Sequence, residues 1–162
     1  MRLALVAIGR LKAGPERALV DRYVERARAL ARPLGFSGPD LVEIAESKAR
    51  READRKAEEA AALAAKLPDG ALVVLDERGR SLDSPTFASR LGGFRDAGRG
   101  AATFVIGGPD GLDETLRARA DLVLSFGGLT IPHQIVRALV AEQTYRALTI
   151  LSGHPYHRGG ET

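Results

Sequence analysis

AATFVIGGPDGL, residues 101–112, is the stretch that decides the fold. The near-continuous apolar run Ala101 to Ile106 has strand length and stops at a glycine-rich turn, Gly107-Gly108-Pro109-Asp110-Gly111. A strand that is apolar on both of its faces has to be covered on both, and this is the pattern of a parallel sheet between two helical layers. Working outward, the same pattern recurs. Arg2 to Ile8 is an apolar run ending at Gly9, Leu41 to Ala45 and Ala71 to Leu75 are two more, and Leu122 to Leu124 is a short fifth.

Helical periodicity fills the intervals. Pro15 to Ala31 repeats apolar residues at Leu19, Val20, Tyr23, Val24, Ala27 and Leu30, with charges between them. Ser47 to Leu67 is Ala-rich, highly charged and amphipathic, and Pro68-Asp69-Gly70 closes it. Glu77-Arg78-Gly79-Arg80 reads as a turn after the third strand, and Ser84-Pro85 opens a helix to about Arg95 that Gly92-Gly93 weakens. A final helix starts at Pro132 and runs to about Leu148. Its apolar residues occupy more than one stripe, so burial on two sides is expected, by the sheet and by a second subunit. The fold class is α/β, with no internal repeat, low-complexity tract or linker.

Composition narrows the class further. At 162 residues and 44% hydrophobic, the chain is long enough for one well-buried domain, 1–162, and short for two. No apolar run approaches the roughly eighteen residues that span a bilayer, so no membrane partner is expected. Met1-Arg2 opens straight into LALVAIG rather than a secretion signal, and a cytoplasmic location is expected. The absence of cysteine removes thiolate metal sites, disulfides and cysteine nucleophiles. Three histidines without acidic partners at ligand spacing argue against a metal. The net charge is +3, and lysine occurs only at positions 12, 48, 56 and 66, so the base is mostly arginine. Arginine suits phosphate and stacked bases, and an Arg- and Ala-rich composition alone would look the same.

In open α/β sheets ligands sit beyond the carboxyl ends of the strands. Three loops there carry special chemistry: after Leu75, after Ile106, and after Phe126, where GGLTIPH begins at Gly127. No GxGxxG opens a helix and no GKS or GKT occurs, which lowers the case for a nicotinamide enzyme or an NTPase. Glu142 and Arg146, four apart in the favourable order, read as a helix ion pair. His133 falls in the first turn of the last helix, where capping, packing and function are all open. The closing GHPYHR places His154, Tyr156, His157 and Arg158 in a proline-stiffened cluster with little to do for a core.

VIGGPDGL, LTIPHQIVRALVAEQTYRA and GHPYHR together resemble the SPOUT-class RNA methyltransferases of the RlmH type, and the likeness runs nearly end to end from LALVAIGRLK. The resemblance implies a Rossmann-like parallel-sheet domain with a C-terminal trefoil knot, a homodimer, and S-adenosylmethionine as cofactor without a metal. It implies methylation of N3 of a pseudouridine in 23S ribosomal RNA, position 1915 in the family, on the large subunit or 70S ribosome. Another RNA substrate such as transfer RNA, or a non-catalytic dimeric RNA-binding factor, stays open beside it. Carried over by position, the cofactor site falls on Leu75, Gly108, Gly127, Gly128, Leu129, Thr130, Ile131 and Pro132, with Gly127 standing where family members often carry serine. Tyr156, His157 and Arg158 match the family's tail and are its candidates for base orientation, proton handling or a carbonyl contact, and phosphate or carbonyl binding. His133, Arg137, Glu142 and His154 form a second tier on the RNA side.

Overall fold

The structure, a computed structural model, describes residues 1–158. Five parallel strands, β1 (Arg2–Ile8), β2 (Ser37–Ile44), β3 (Ala71–Ser81), β4 (Ala101–Ile106) and β5 (Leu122–Ser125), form one sheet in the order β2-β1-β4-β3-β5. Between and after them come α1 (Pro15–Ala31), α2 (Glu52–Ala64), α3 (Ser84–Asp96), α4 (Glu114–Arg119) and α5 (His133–Ser152).

Strand alternation divides the interior into two cores. Leu3, Leu5 and Ala7 of β1, Val73 and Leu75 of β3, and Phe104 and Ile106 of β4 face the layer made by α1, α3 and α5. The intervening Val6, Ile8, Leu72, Val74 and Val105 face Leu63 of α2 and Leu116 of α4. Each fully buried leucine or phenylalanine contributes about 1.5–3 kcal/mol by leaving water. Asp83 caps α3 by accepting from the Thr86 amide at 2.8 Å, and Asp113 caps α4 by accepting from the Thr115 amide at 2.9 Å. No helix among the described residues is long and apolar enough to cross a membrane.

The sequence reading and the structure differ in several places: β2 starts at Ser37 rather than Leu41, taking in Gly38 and Pro39, and α5 continues past Leu148 to Ser152. Residues 77–80 do not end β3. They form an irregularity inside it, so that Leu75 and Arg80 both lie opposite Leu124 of β5. Two contacts hold this shape: the Ser125 hydroxyl donates to the Glu77 carbonyl at 3.1 Å, and Gly79 approaches so closely that a Cβ would lie 2.6 Å from the Val123 carbonyl oxygen. The α2 helix begins at Glu52 rather than Ser47, because Arg55 Nη1 occupies the carbonyls of Ala49 and Arg50 at 3.2 and 3.0 Å. Gly92-Gly93 lies inside α3 without interrupting it, and Gly92 lets Leu151 of α5 approach, its Cβ position being 3.3 Å from Leu151 Cδ2. The second face of α5, expected to need another subunit, packs within the chain on α1 and α3.

Candidate active site

The parallel arrangement brings the carboxyl ends of β4, β3 and β5 side by side, and a cavity of about 340 Å³ opens over them. Leu75, Ile106 and Leu124, one from each strand end, make its floor. One wall is the glycine loop 107–111, closed by a bridge in which the Gly111 amide donates to the Gly108 carbonyl at 3.0 Å. Gly111 sits at φ +80, the left-handed region that glycine enters without strain. The facing wall runs from Phe126 to Ile131, and His133 and Val136 of α5 close one end. Ser125 fixes the start of that wall: its hydroxyl oxygen accepts from the Gly127 amide at 3.0 Å.

The rim is charged, and its charges are mostly spoken for. Asp76, 8% exposed, accepts from the Arg78 amide at 2.9 Å and from Arg78 Nε at 3.1 Å, with Arg117 Nε 3.6 Å from its other oxygen. Burial raises the Asp76 carboxyl, but the Arg78 bonds and the two guanidinium charges outweigh it and leave it below the usual carboxylate range. Asp110 is likewise held low, chiefly by Arg55, which donates to it through Nε at 2.6 Å and Nη2 at 3.1 Å. The Thr130 hydroxyl lies 3.4 Å from Glu77 Oε2. Leu129 is 82% exposed at the mouth, an apolar side chain with no cover in the chain.

Of the eight expected cofactor positions, Leu75, Gly108, Gly127, Leu129, Thr130 and Ile131 line the cavity; Gly128 and Pro132 adjoin it in sequence without lining it. His133 lines it too. The tail does not. Gly153, at φ 71, ends α5 and turns the chain back, and His154 N donates to the Thr149 carbonyl at 2.9 Å. Tyr156 then packs on Tyr145 with ring centroids 4.6 Å apart, and its hydroxyl donates to Glu142 Oε1 at 3.0 Å. Arg146 pairs with Glu142 at 2.6 Å, stands 4.8 Å over the Tyr156 ring, and reaches His157 Nδ1 at 3.2 Å. Burial, with Tyr23 and Glu142 beside it, pushes the Tyr156 hydroxyl well above the ordinary tyrosine range, so it stays protonated. A guanidinium only donates, so Nδ1 of His157 is the acceptor of this contact and Nε2 is the nitrogen left to donate.

Arg137 requires a correction. Expected on the RNA side, it is 1% exposed and belongs to the framework. It donates to Glu43 Oε2 at 2.8 Å and to the carbonyls of Ile8 and Gly9 at 3.2 and 3.0 Å. Glu43 also accepts from the Leu11 amide and Arg17, both at 2.7 Å. Sequence reading passed over Asp76, Ser125 and the Arg55–Asp110 pair; an acid directly after an apolar strand was the available signal for Asp76, and nothing in the sequence joined the pair.

A parallel sheet with a glycine-walled cavity at its carboxyl edge is the arrangement in which open α/β folds bind ligands. The chain matches the family model described as predicted SPOUT methyltransferase over residues 1–157, and it belongs to that family. It is 62% identical over 161 residues to the ribosomal RNA large subunit methyltransferase H of Methylobacterium radiotolerans, covering 98% of each chain. To the protein of the same name from Rhodopseudomonas palustris it is 61% identical over 159 residues, covering 98% of this chain and 99% of that one. Among solved structures, it is similar to a probable methylase family protein from Haemophilus influenzae at 16% identity and a TM-score of 0.48, covering 99% of this chain and 71% of that one.

Proposed function

We propose that this methyltransferase takes S-adenosylmethionine and methylates N3 of a pseudouridine in 23S ribosomal RNA of the large subunit, in the cytoplasm. The observation that carries the reading is the cavity, in which six positions expected to hold the cofactor meet although they come from three separate loops. Its volume is that of a small-molecule site, and its make-up suits an adenine-containing ligand: apolar floor, apolar Leu129 and Ile131, and glycine walls that bare the backbone. No Cβ at Gly127 or Gly128 would meet an atom within 4 Å, so there is room for a ligand beside both. Large subunit methyltransferase names at about 60% identity and nearly full coverage support the substrate.

When bound, the cofactor supplies an already activated methyl group, so the chain's residues have to position, neutralise and exclude water. Leu75, Leu129 and Ile131 are proposed to sandwich the adenine while loop amides and carbonyls read its edge. His157, with Nδ1 engaged by Arg146, presents Nε2–H, a donor suited to a base carbonyl rather than a ready proton acceptor. Tyr156 anchors the tail through Glu142, and exposed Arg158 is left for phosphate. Within one chain this tail packs near residues 142–149 of α5, whereas the cavity touches only residues 133 and 136 of that helix. The separation supports a homodimer in which the tail of one copy serves the cavity of the other. Exposed Leu19 on α1 and Ile135 on α5 give such a dimer apolar surface. A C-terminal trefoil knot is part of the same proposal.

Mass spectrometry of ribosomal RNA from a strain lacking the protein tests the reading. A single unmethylated pseudouridine, restored by the purified protein and labelled cofactor, is expected. Restoration on transfer RNA instead would move the substrate.

A further inference from the structure

The two edges of the sheet differ in charge. In a parallel sheet the βα loops all leave at the carboxyl edge and the αβ loops at the amino edge. At the amino edge Arg2 and Arg28 lie 2.9 and 4.0 Å from Asp40 and Arg99 lies 3.0 Å from Asp121, and Arg32, Lys66 and Arg119, unpaired among the described residues, stand singly at the ends of different helices. At the carboxyl edge Arg10 and Lys12 follow β1, and Lys48, Arg50 and Arg51 follow β2. All five are exposed, and among the described residues none lies within 4 Å of a carboxylate. Glu46 is the only acid in these two loops.

Arg55 holds this surface in place. It grips Asp110 of the glycine loop with two bonds, at 2.6 and 3.1 Å, and its remaining amino group holds the carbonyls of Ala49 and Arg50. The backbone behind Arg50 and Arg51 is thus fastened to a wall of the cavity. Since β2, β1 and β4 are neighbours, the two basic loops and the glycine loop stand at successive strand spacings, roughly 10 Å in all.

We propose that residues 10–12 and 48–51 form a track for the RNA backbone leading into the cavity. The proposal rests on the reading of the chain as an RNA methyltransferase and adds where the RNA lies. The exposed large apolar residues, Leu19, Leu129 and Ile135, all lie outside these loops, so an acidic peptide would find nothing apolar to bury there. Long, unpaired cations suit phosphates, and they would position RNA without reading its sequence.

The test compares the full-length protein with a Lys48→Ala/Arg50→Ala/Arg51→Ala variant, an Arg10→Ala/Lys12→Ala variant, and an amino-edge control, Arg32→Ala/Lys66→Ala. Binding to 23S ribosomal RNA from the deletion strain is measured between about 50 and 200 mM salt, alongside calorimetry with S-adenosylmethionine and methyl transfer at saturating RNA. Both track variants should bind the cofactor as the parent does and lose at least about tenfold in RNA affinity, with a log–log salt slope shallower by about 1 per contact removed. The control should keep the parent's slope. Track variants with parental affinity and slope overturn the proposal, as does equal loss in the control or equally tight binding of polyglutamate. If the parent transfers no methyl group yet the track variants alone lose RNA affinity, the track stands and the assigned reaction falls.

Discussion

Arg55 and Asp110, 55 residues apart, are joined by two hydrogen bonds that fasten the glycine wall of the cavity to α2. Asp110→Ala should release the loop 107–111 and weaken cofactor binding several-fold while lowering the melting temperature only slightly, since a single ion pair at the rim of a cavity contributes little to global stability. Calorimetry beside thermal unfolding checks it; equal affinity in the variant would show that the loop holds its shape without the pair.

Gly108 lines the cavity with its backbone, but a side chain there would point towards Ile8. A Cβ there would lie 3.0 Å from Ile8 Cγ2, inside the core shared with α2 and α4. Gly108→Val is therefore expected to cost stability, about 1–3 kcal/mol by overpacking, in addition to any effect on ligand. Ile131→Trp is the cleaner block, since Ile131 lines the cavity and is only half-buried. Denaturant unfolding should show Ile131→Trp near the parent and Gly108→Val well below it, with cofactor binding lost in the former.

Glu43 gathers Arg17, Arg137 and the Leu11 amide. Burial raises its carboxyl, and these partners more than offset the burial, so it titrates below the ordinary glutamate range. A lowered carboxyl stabilises the fold fully above the unfolded value of about 4.3, and that contribution is lost as pH falls below it through the folded value. Stability of the parent should drop from pH 5 towards pH 3, both approximate limits of that window, and Glu43→Gln should flatten the curve. Arg137→Met, which leaves the Ile8 and Gly9 carbonyls without their donor, should cost about 3 kcal/mol at neutral pH. A change below about 0.5 kcal/mol, the ordinary surface range, would show that the buried guanidinium is not a framework member.

At its Arg146 contact His157 accepts through Nδ1, which leaves Nε2 as the ring nitrogen that can donate to a base carbonyl. His157→Gln keeps a side-chain donor and should retain much more single-turnover methyl transfer than His157→Ala, with the same pH profile as the parent. If both variants are equally slow and the rising limb of the profile disappears, the imidazole takes the proton.

Where the sequence and structure agree, the reason is physical and local. The bounds of β1, α1 and β4 follow from apolar runs that stop at glycine or start at proline, signals contained within a few residues. β3 was harder, because Glu77-Arg78-Gly79-Arg80 has the composition of a turn, and only its contacts with Ser125 and Val123, over forty residues away, keep it in the sheet. The cavity was readable because glycine has to stand wherever backbone is bared. Arg137 was not, since an arginine on a helix reads as solvated until Glu43, 94 residues earlier, is brought against it.

The α5 helix is 20 residues long, a rod of about 30 Å. Its first turn borders the cavity, while Tyr156 and His157, beyond its end, fold back onto Glu142, Tyr145 and Arg146 in its second half, so one molecule cannot bring cavity and tail together without breaking the rod. On the proposed function, the reaction is then second order in this polypeptide. Specific activity should fall on dilution below the dimer's dissociation constant, and a chain lacking its tail mixed with a chain blocked at its cavity should recover what neither has alone.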